Sequence, residues 1–129
     1  LPHNPSIAHQ LMVQTLMGRI EGDGFTITHA AGIDAHPDPT SIGGHEPDII
    51  GKDDTGLKAI GECKTGEDLT AKHTKEQLHI FAHQRMLKSK RMVPFYVAVP
   101  TGYEDELEEV LEELGIAEQD SVIRVYIRF

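Results

Sequence analysis

The stretch Glu46-Pro47-Asp48-Ile49-Ile50, followed after the turn-rich Lys52-Asp53-Asp54-Thr55-Gly56 by Leu57-Lys58-Ala59-Ile60-Gly61-Glu62-Cys63-Lys64, decides the fold. Both apolar runs are short and bounded by turn formers, so they read as two paired strands. Side chains alternate along a strand. Leu57, Ala59, Gly61 and Cys63 therefore point to one side of the second run, and Lys58, Ile60, Glu62 and Lys64 to the other. Glu62 and Lys64 share a face, roughly 7 Å apart along the strand at the usual rise per residue. Asp48 stands at the head of the partner strand.

Working outward to the N-terminal side, Ile7, Leu11, Val13, Leu16, Met17 and Ile20 recur at close to helical spacing. Asn4-Pro5 or Ser6 caps this first helix, and Gly22 and Gly24 stop it. Phe25-Thr26-Ile27-Thr28 alternates as a strand does, and the segment from Ala30 to Gly44, with Pro37, Pro39, Gly43 and Gly44, predicts a loop or irregular hairpin.

On the C-terminal side a second helix begins at Thr70 or Thr74. Thr74 and Gln77 have capping-box spacing, and Leu78, Phe81, Ala82, Arg85 and Met86 predict an inward stripe running to about Leu87. Phe95-Tyr96-Val97-Ala98-Val99 is the kind of continuous apolar strand that is covered on both faces, and belongs inside a sheet. Thr101 and Glu104 form another capping-box pair. After them Tyr103, Leu107, Val110, Leu111 and Leu114 trace one face of a helix ending at Gly115. Val122 to Phe129 alternates Val122, Arg124, Tyr126 and Arg128 against Ile123, Val125, Ile127 and Phe129, a closing strand. The predicted order is α-β-β-β-α-β-α-β, an α/β fold with a central mixed sheet. At 129 residues, the chain is expected to form one domain, 1–129.

Composition narrows the function classes. The longest apolar stretches fall far short of the roughly 20 residues that cross a bilayer, so no membrane span is expected. Leu1-Pro2-His3-Asn4-Pro5 carries no basic or apolar segment of a secretion signal and reads as a trimmed start or a fragment of a longer chain. The single cysteine, Cys63, admits no internal disulfide; the expected compartment is cytoplasmic. The formal net charge of −9 opposes nucleic-acid binding at first sight, but its distribution does not. From Lys72 to Arg91 there are six basic residues against the single acid Glu76, whereas the nine acids from Glu104 to Asp120 are mixed with no Lys or Arg.

Two carboxylates converging with a lysine suit Mg²⁺, a hard cation that takes one or two carboxylates and keeps several waters. Lys64 is placed to orient or help deprotonate an attacking water and to offset charge on the phosphorus, which an Arg could do only in part because it cannot give up its proton. The acid-x-Lys spacing occurs once in the chain. Pro-Asp occurs twice, but Pro37-Asp38 leads into Pro39 and a turn while Pro47-Asp48 leads into strand residues, which selects Asp48.

Pro47-Asp48 with Glu62-Cys63-Lys64, set in this element order, resembles the PD-(D/E)xK nuclease superfamily and its restriction-endonuclease-like three-layer α/β/α fold. The resemblance covers most of the chain. It implies that Asp48, Glu62 and the main-chain carbonyl of Cys63 hold Mg²⁺, with Mn²⁺ able to substitute, while Lys64 serves the water. It implies a phosphodiester hydrolase acting on DNA, in some members as a homodimer. Gln77-Leu78-His79-Ile80-Phe81 is similar to the Gln-x-x-x-Tyr signature of exonuclease-type and resolvase-like branches, with Phe81 in place of Tyr, so Gln77 joins the expected site. Many members carry a metal-supporting Glu in the first helix. Here none lies between Ser6 and Ile20, and His9 and Gln14 are the polar candidates to replace it.

His79 and His83, four apart on one helical face, form with Lys72 and Lys75 the expected substrate-binding surface. Two other readings stand beside this one. A non-catalytic module would keep the fold for nucleic-acid binding or assembly, and a zinc enzyme would use His29, His36, His45 and Cys63, which lack paired-ligand spacing.

Overall fold

A computed structural model describes residues 6–129. Its elements are α1 (Ile7–Gly22), β1 (Thr26–Ala30), β2 (Ile49–Lys52), β3 (Lys58–Cys63), α2 (Lys72–Ala82), β4 (Phe95–Pro100), α3 (Glu104–Glu113) and β5 (Val122–Ile127). The five strands form one mixed sheet in the order β1-β2-β3-β4-β5. β1, β2 and β3 are antiparallel neighbours, whereas β3, β4 and β5 run parallel.

The parallel half dictates where the helices lie. β3-α2-β4 and β4-α3-β5 step the same way across the sheet, and crossovers of one hand put both helices on the same face. The core there joins Ile60, Phe95, Val97 and Val99 to Leu78 and Phe81 of α2 and to Leu107 and Leu111 of α3. The other face is left to α1, whose Met12, Val13, Leu16 and Ile20 pack on Ile49, Ala59, Cys63 and Tyr96. Helices thus cover both faces. β4, buried from Phe95 to Val99, needs that double cover.

The alternation in β3 is as expected: Ala59 and Cys63 face α1 while Ile60 faces α2. Gly61 lies under α1, where an added Cβ would meet Ile20 and Ile49 at 3.1 Å and Leu16 at 3.2 Å. The helix is therefore seated closely on the middle strand.

Several local expectations are corrected. In α1 the inward row is carried by Met12 in place of Leu11 and Ile7, which are exposed. Ser6 supplies the cap, its side chain accepting from the His9 N–H at 3.0 Å, while Asn4 and Pro5 lie outside the described residues. Neither capping box forms. α2 starts before Thr74, with Ala71 at the cap, so Thr74 and Gln77 are buried inside the helix. α3 is capped at Tyr103, and the Glu104 carboxylate takes the Gly102 N–H from within the turn. α2 also stops at Ala82, short of Leu87, because the chain turns into a hairpin in which Arg85 pairs with Met92. Arg85 is therefore exposed and not part of an inward stripe.

No helix among the described residues is long and apolar enough to cross a membrane.

One polar latch ties the layers together. The buried Tyr96 donates its hydroxyl to Asp23 Oδ2 at 2.7 Å, and Arg19 donates to the same oxygen at 3.1 Å. Burial and the Asp23 charge push the Tyr96 phenol well up, and the bond correspondingly holds Asp23 below its ordinary value. Tyr96→Phe is expected to lower the unfolding free energy by about 1 kcal/mol, the net worth of such a bond. A urea melt reads this, and an unchanged midpoint would show the latch to be idle.

Candidate active site

β3 ends where β2 begins, and this junction is built by an exchange of side-chain for main-chain hydrogen bonds. The Asp48 N–H donates to Glu62 Oε1 at 3.1 Å and to the Gly61 carbonyl at 3.1 Å. In return, Asp48 Oδ2 accepts the Cys63 N–H at 2.8 Å. The two carboxylates are held on one side of the sheet end by the strands themselves. Glu62 is 3% exposed and Lys64 9%, so neither is a solvated surface residue.

Lys64 leaves β3 with its N–H still bonded to the Ala98 carbonyl at 2.9 Å, continuing the parallel ladder by one residue. Its Nζ donates to Gln77 Oε1 at 2.6 Å and lies 3.5 Å from Glu62 Oε2 and 3.9 Å from Asp68 Oδ2. Gln77 is therefore a partner of the lysine and has no capping role. Cys63 contributes main-chain groups to the site, while its thiol is buried on the α1 side and pushed well up by that burial and by the Asp48 and Glu62 charges.

His9, in the first turn of α1, closes the site from above. Its Nε2 stands 3.2 Å from Asp48 Oδ2. Hydrogen bonding to Asp48 raises the imidazole against the opposing effect of burial, helped by the Asp48 charge and the Cys63 backbone. The spot between the Asp48 carboxylate and the Cys63 main chain thus favours positive charge. Gln14 is exposed and takes no part.

The two acids are pushed apart. Burial acts to raise Asp48, but hydrogen bonds with His9, Glu62 and the Cys63 backbone outweigh it and hold that carboxyl low. Glu62 goes well up, chiefly because it is buried and then because it faces the Asp48 charge, with Lys64 offsetting only part. In the absence of a bound cation Glu62 holds its proton more tightly than a free carboxyl does, because two ionised carboxylates so close together and out of water would repel each other.

These groups line a cleft of about 330 Å³ together with Glu46, Thr65 and Asp68. Asp68 had no signal in the strand pattern. It reaches the cleft because Gly66 turns the chain back at φ +111°, in a place where a Cβ would lie 2.5 Å from the Tyr103 ring. One of its oxygens, Oδ1, is buried with no hydrogen-bond partner among the described residues.

The expected substrate surface is not gathered here. Lys72, His79 and His83 are exposed on α2 and Lys75 is half-buried; none of the four lines the cleft. Lys75 reaches α3 instead, its Nζ 2.9 Å from Glu113 Oε2. The His79 and His83 ring centres lie 4.4 Å apart with the planes tilted at 47°, and His83 Nδ1 bonds the His79 carbonyl. His45 lies against His73, with ring centres 5.2 Å apart.

A consequence for stability follows from Glu62. Its folded value lies above the ordinary 4.5, so the folded chain retains the proton to higher pH than the unfolded chain does. Stability is therefore lost as pH rises from that value through the raised one, and the full penalty is present above it. Glu62→Gln removes the penalty. It is expected to melt at a higher temperature than the parent at neutral pH in EDTA, the gap closing on acidification; a lower melting point at neutral pH would contradict the raised carboxyl.

Comparison of the chain with family models, with characterised proteins and with solved structures finds no match in any of the three.

Proposed function

We propose that this chain is a metal-dependent nuclease of the restriction-endonuclease-like, PD-(D/E)xK type, hydrolysing phosphodiester bonds of DNA. The observation that carries the reading is the meeting of Asp48, Glu62 and Lys64 in one cleft at the end of a mixed sheet covered by helices on both faces.

Among the described residues, no three His, Cys, Asp or Glu side chains form a closed metal site. Two carboxylates and a main-chain carbonyl remain, a set that is poor for zinc and suits Mg²⁺, which binds through one or two carboxylates and keeps its waters. Asp48, Glu62 and the Cys63 carbonyl would hold Mg²⁺ or Mn²⁺. When bound, the ion supplies Lewis acidity and lowers the pKa of water.

The residues do the rest. Lys64 is fixed by Gln77 so that its ammonium stays over the cleft, where it orients the attacking water and stabilises charge developing on the phosphate oxygens. His9 steadies the Asp48 carboxylate from α1, the element in which related enzymes carry an acid.

Purified protein is expected to cut plasmid, single-stranded, flapped or four-way DNA with Mg²⁺ or Mn²⁺. Asp48→Ala and Lys64→Ala should each lose on the order of 10²-fold or more in rate, as when a transition-state contact is removed. If the parent cuts none of these DNAs, or if the variants cut as well as it does, the proposal fails.

His9 in place of an acid favours a second reading, a non-catalytic module that keeps the fold for nucleic-acid binding or assembly. Calorimetric titration with Mn²⁺ separates the two. Binding that is abolished by Glu62→Ala belongs to a nuclease, and no binding by the parent belongs to the module. In the nuclease, His9→Ala should weaken Mn²⁺ about tenfold, the usual effect of losing a group that orients a ligand.

A further inference from the structure

A second cavity, of about 570 Å³, opens at the start of β3, the end opposite Glu62 and Lys64. Ile50, Leu57, Ile60, Met86 and Val93 give it an aliphatic and thioether floor. Lys58, Arg85, Lys88 and Arg91 stand around it, and among the described residues that line it none is acidic. These four cations stand together in a chain whose net charge is −9.

The cations are held in position. Gln84 to Val93 form a tight hairpin, with the Met86 N–H on the Arg91 carbonyl at 2.9 Å and the Val93 N–H on the Gln84 carbonyl at 2.9 Å. Lys90 takes the turn at φ +62°. The nearby Asp53 feels the Arg91 charge but makes no close ion pair with the rim among the described residues, its Oδ1 accepting instead from Thr55 N, Thr55 Oγ1 and Leu57 N inside its own turn. At the lip Leu87 is 88% exposed, extending the apolar surface outward.

Two features argue against a nucleic-acid strand as occupant. The floor has no aromatic ring on which a base could stack. The hairpin closed by Ile42 and His45 also stands between this groove and the active cleft, with Gly43 so close to α2 that a Cβ would lie 2.7 Å from Ile80 Cγ2.

The geometry points to a docking site for an acidic, amphipathic peptide segment of a partner protein. Its aliphatic side chains fill the floor, where Met86 adapts to their shape, and its carboxylates meet the Lys and Arg rim. This inference stands apart from the nuclease reading, since it uses none of the cleft residues.

Selection of a random-peptide display library on the purified chain tests it, with the Lys88→Glu/Arg91→Glu double variant as counter-target. Both positions are exposed, and thermal melts check that the variant is folded. The expected consensus is rich in Asp and Glu with aliphatic residues at helical spacing. Its peptides should bind the parent about tenfold or more tighter than the double variant, and more weakly in high salt. Leu87→Ser should weaken the same peptides without altering their salt dependence. A basic or uncharged consensus, equal binding to the double variant, or no enrichment at all overturns the proposal. Displacement of the peptides by a labelled thymidine oligonucleotide overturns it in favour of a nucleic-acid surface.

Discussion

Where β2 starts beside the end of β3, two carboxylates do work that a strand ladder would otherwise do with carbonyls. Glu62 takes the Asp48 N–H and Asp48 takes the Cys63 N–H. The Asp48 carboxylate cannot swing away without taking from the Cys63 N–H its acceptor, whereas the Asp48 N–H is shared between Glu62 and the Gly61 carbonyl, so Asp48 is the more firmly fixed of the two acids. The arrangement brings two negative groups together out of water, and the cleft answers with cations. His9 reaches Asp48 from one helix, and Lys64 sits beside Glu62 with Gln77 of another helix behind it. The chemistry proposed for the cleft follows from that unresolved demand for positive charge.

The fold meets the demand by surrounding its middle strand. β3 is the seam between the antiparallel and parallel halves of the sheet, so the residues that follow it are flanked by the start of β2 on one side and the end of β4 on the other. α1 presses on it through Gly61, and α2 returns over its opposite face. Side chains at the end of such a strand are half enclosed before any loop is added. Their exposure is set by two helices that differ in sequence position by more than the length of either.

Much of this could be read locally. Strand alternation put Glu62 and Lys64 together, the uninterrupted run at Phe95–Val99 marked a strand with two covered faces, and Gly115 at φ +74° ends α3 where its position suggests. What escaped depends on tertiary partners. Thr74 and Gln77 have the spacing of a cap, but Gln77 is buried in α2 and bonded to a lysine thirteen residues earlier. The apolar period past Ala82 continues on paper, whereas main-chain pairing of Gln84 with Val93 takes the segment out of the helix. Of the two polar candidates in the first helix, the packing of α1 brings His9 to Asp48 and leaves Gln14 exposed, a choice no period encodes, and Asp68 enters because one glycine adopts a left-handed turn. Lys75 looked available for phosphate until α3 supplied Glu113. A charged residue's sequence neighbours do not say which helix will lie beside it.

The connection between β1 and β2 separates two kinds of change. Its exposed tip, around Asp34, Ala35 and Asp38, touches little, while its last turn, from Ile42 to His45, lies against α2 and forms part of the wall between the two cavities. Insertions at the tip lengthen a loop whose closure entropy grows only slowly with length. They leave the strand junction intact, because the register of β1 on β2 is set beyond them. New surface can therefore be added on this loop while the strand junction stays as it is.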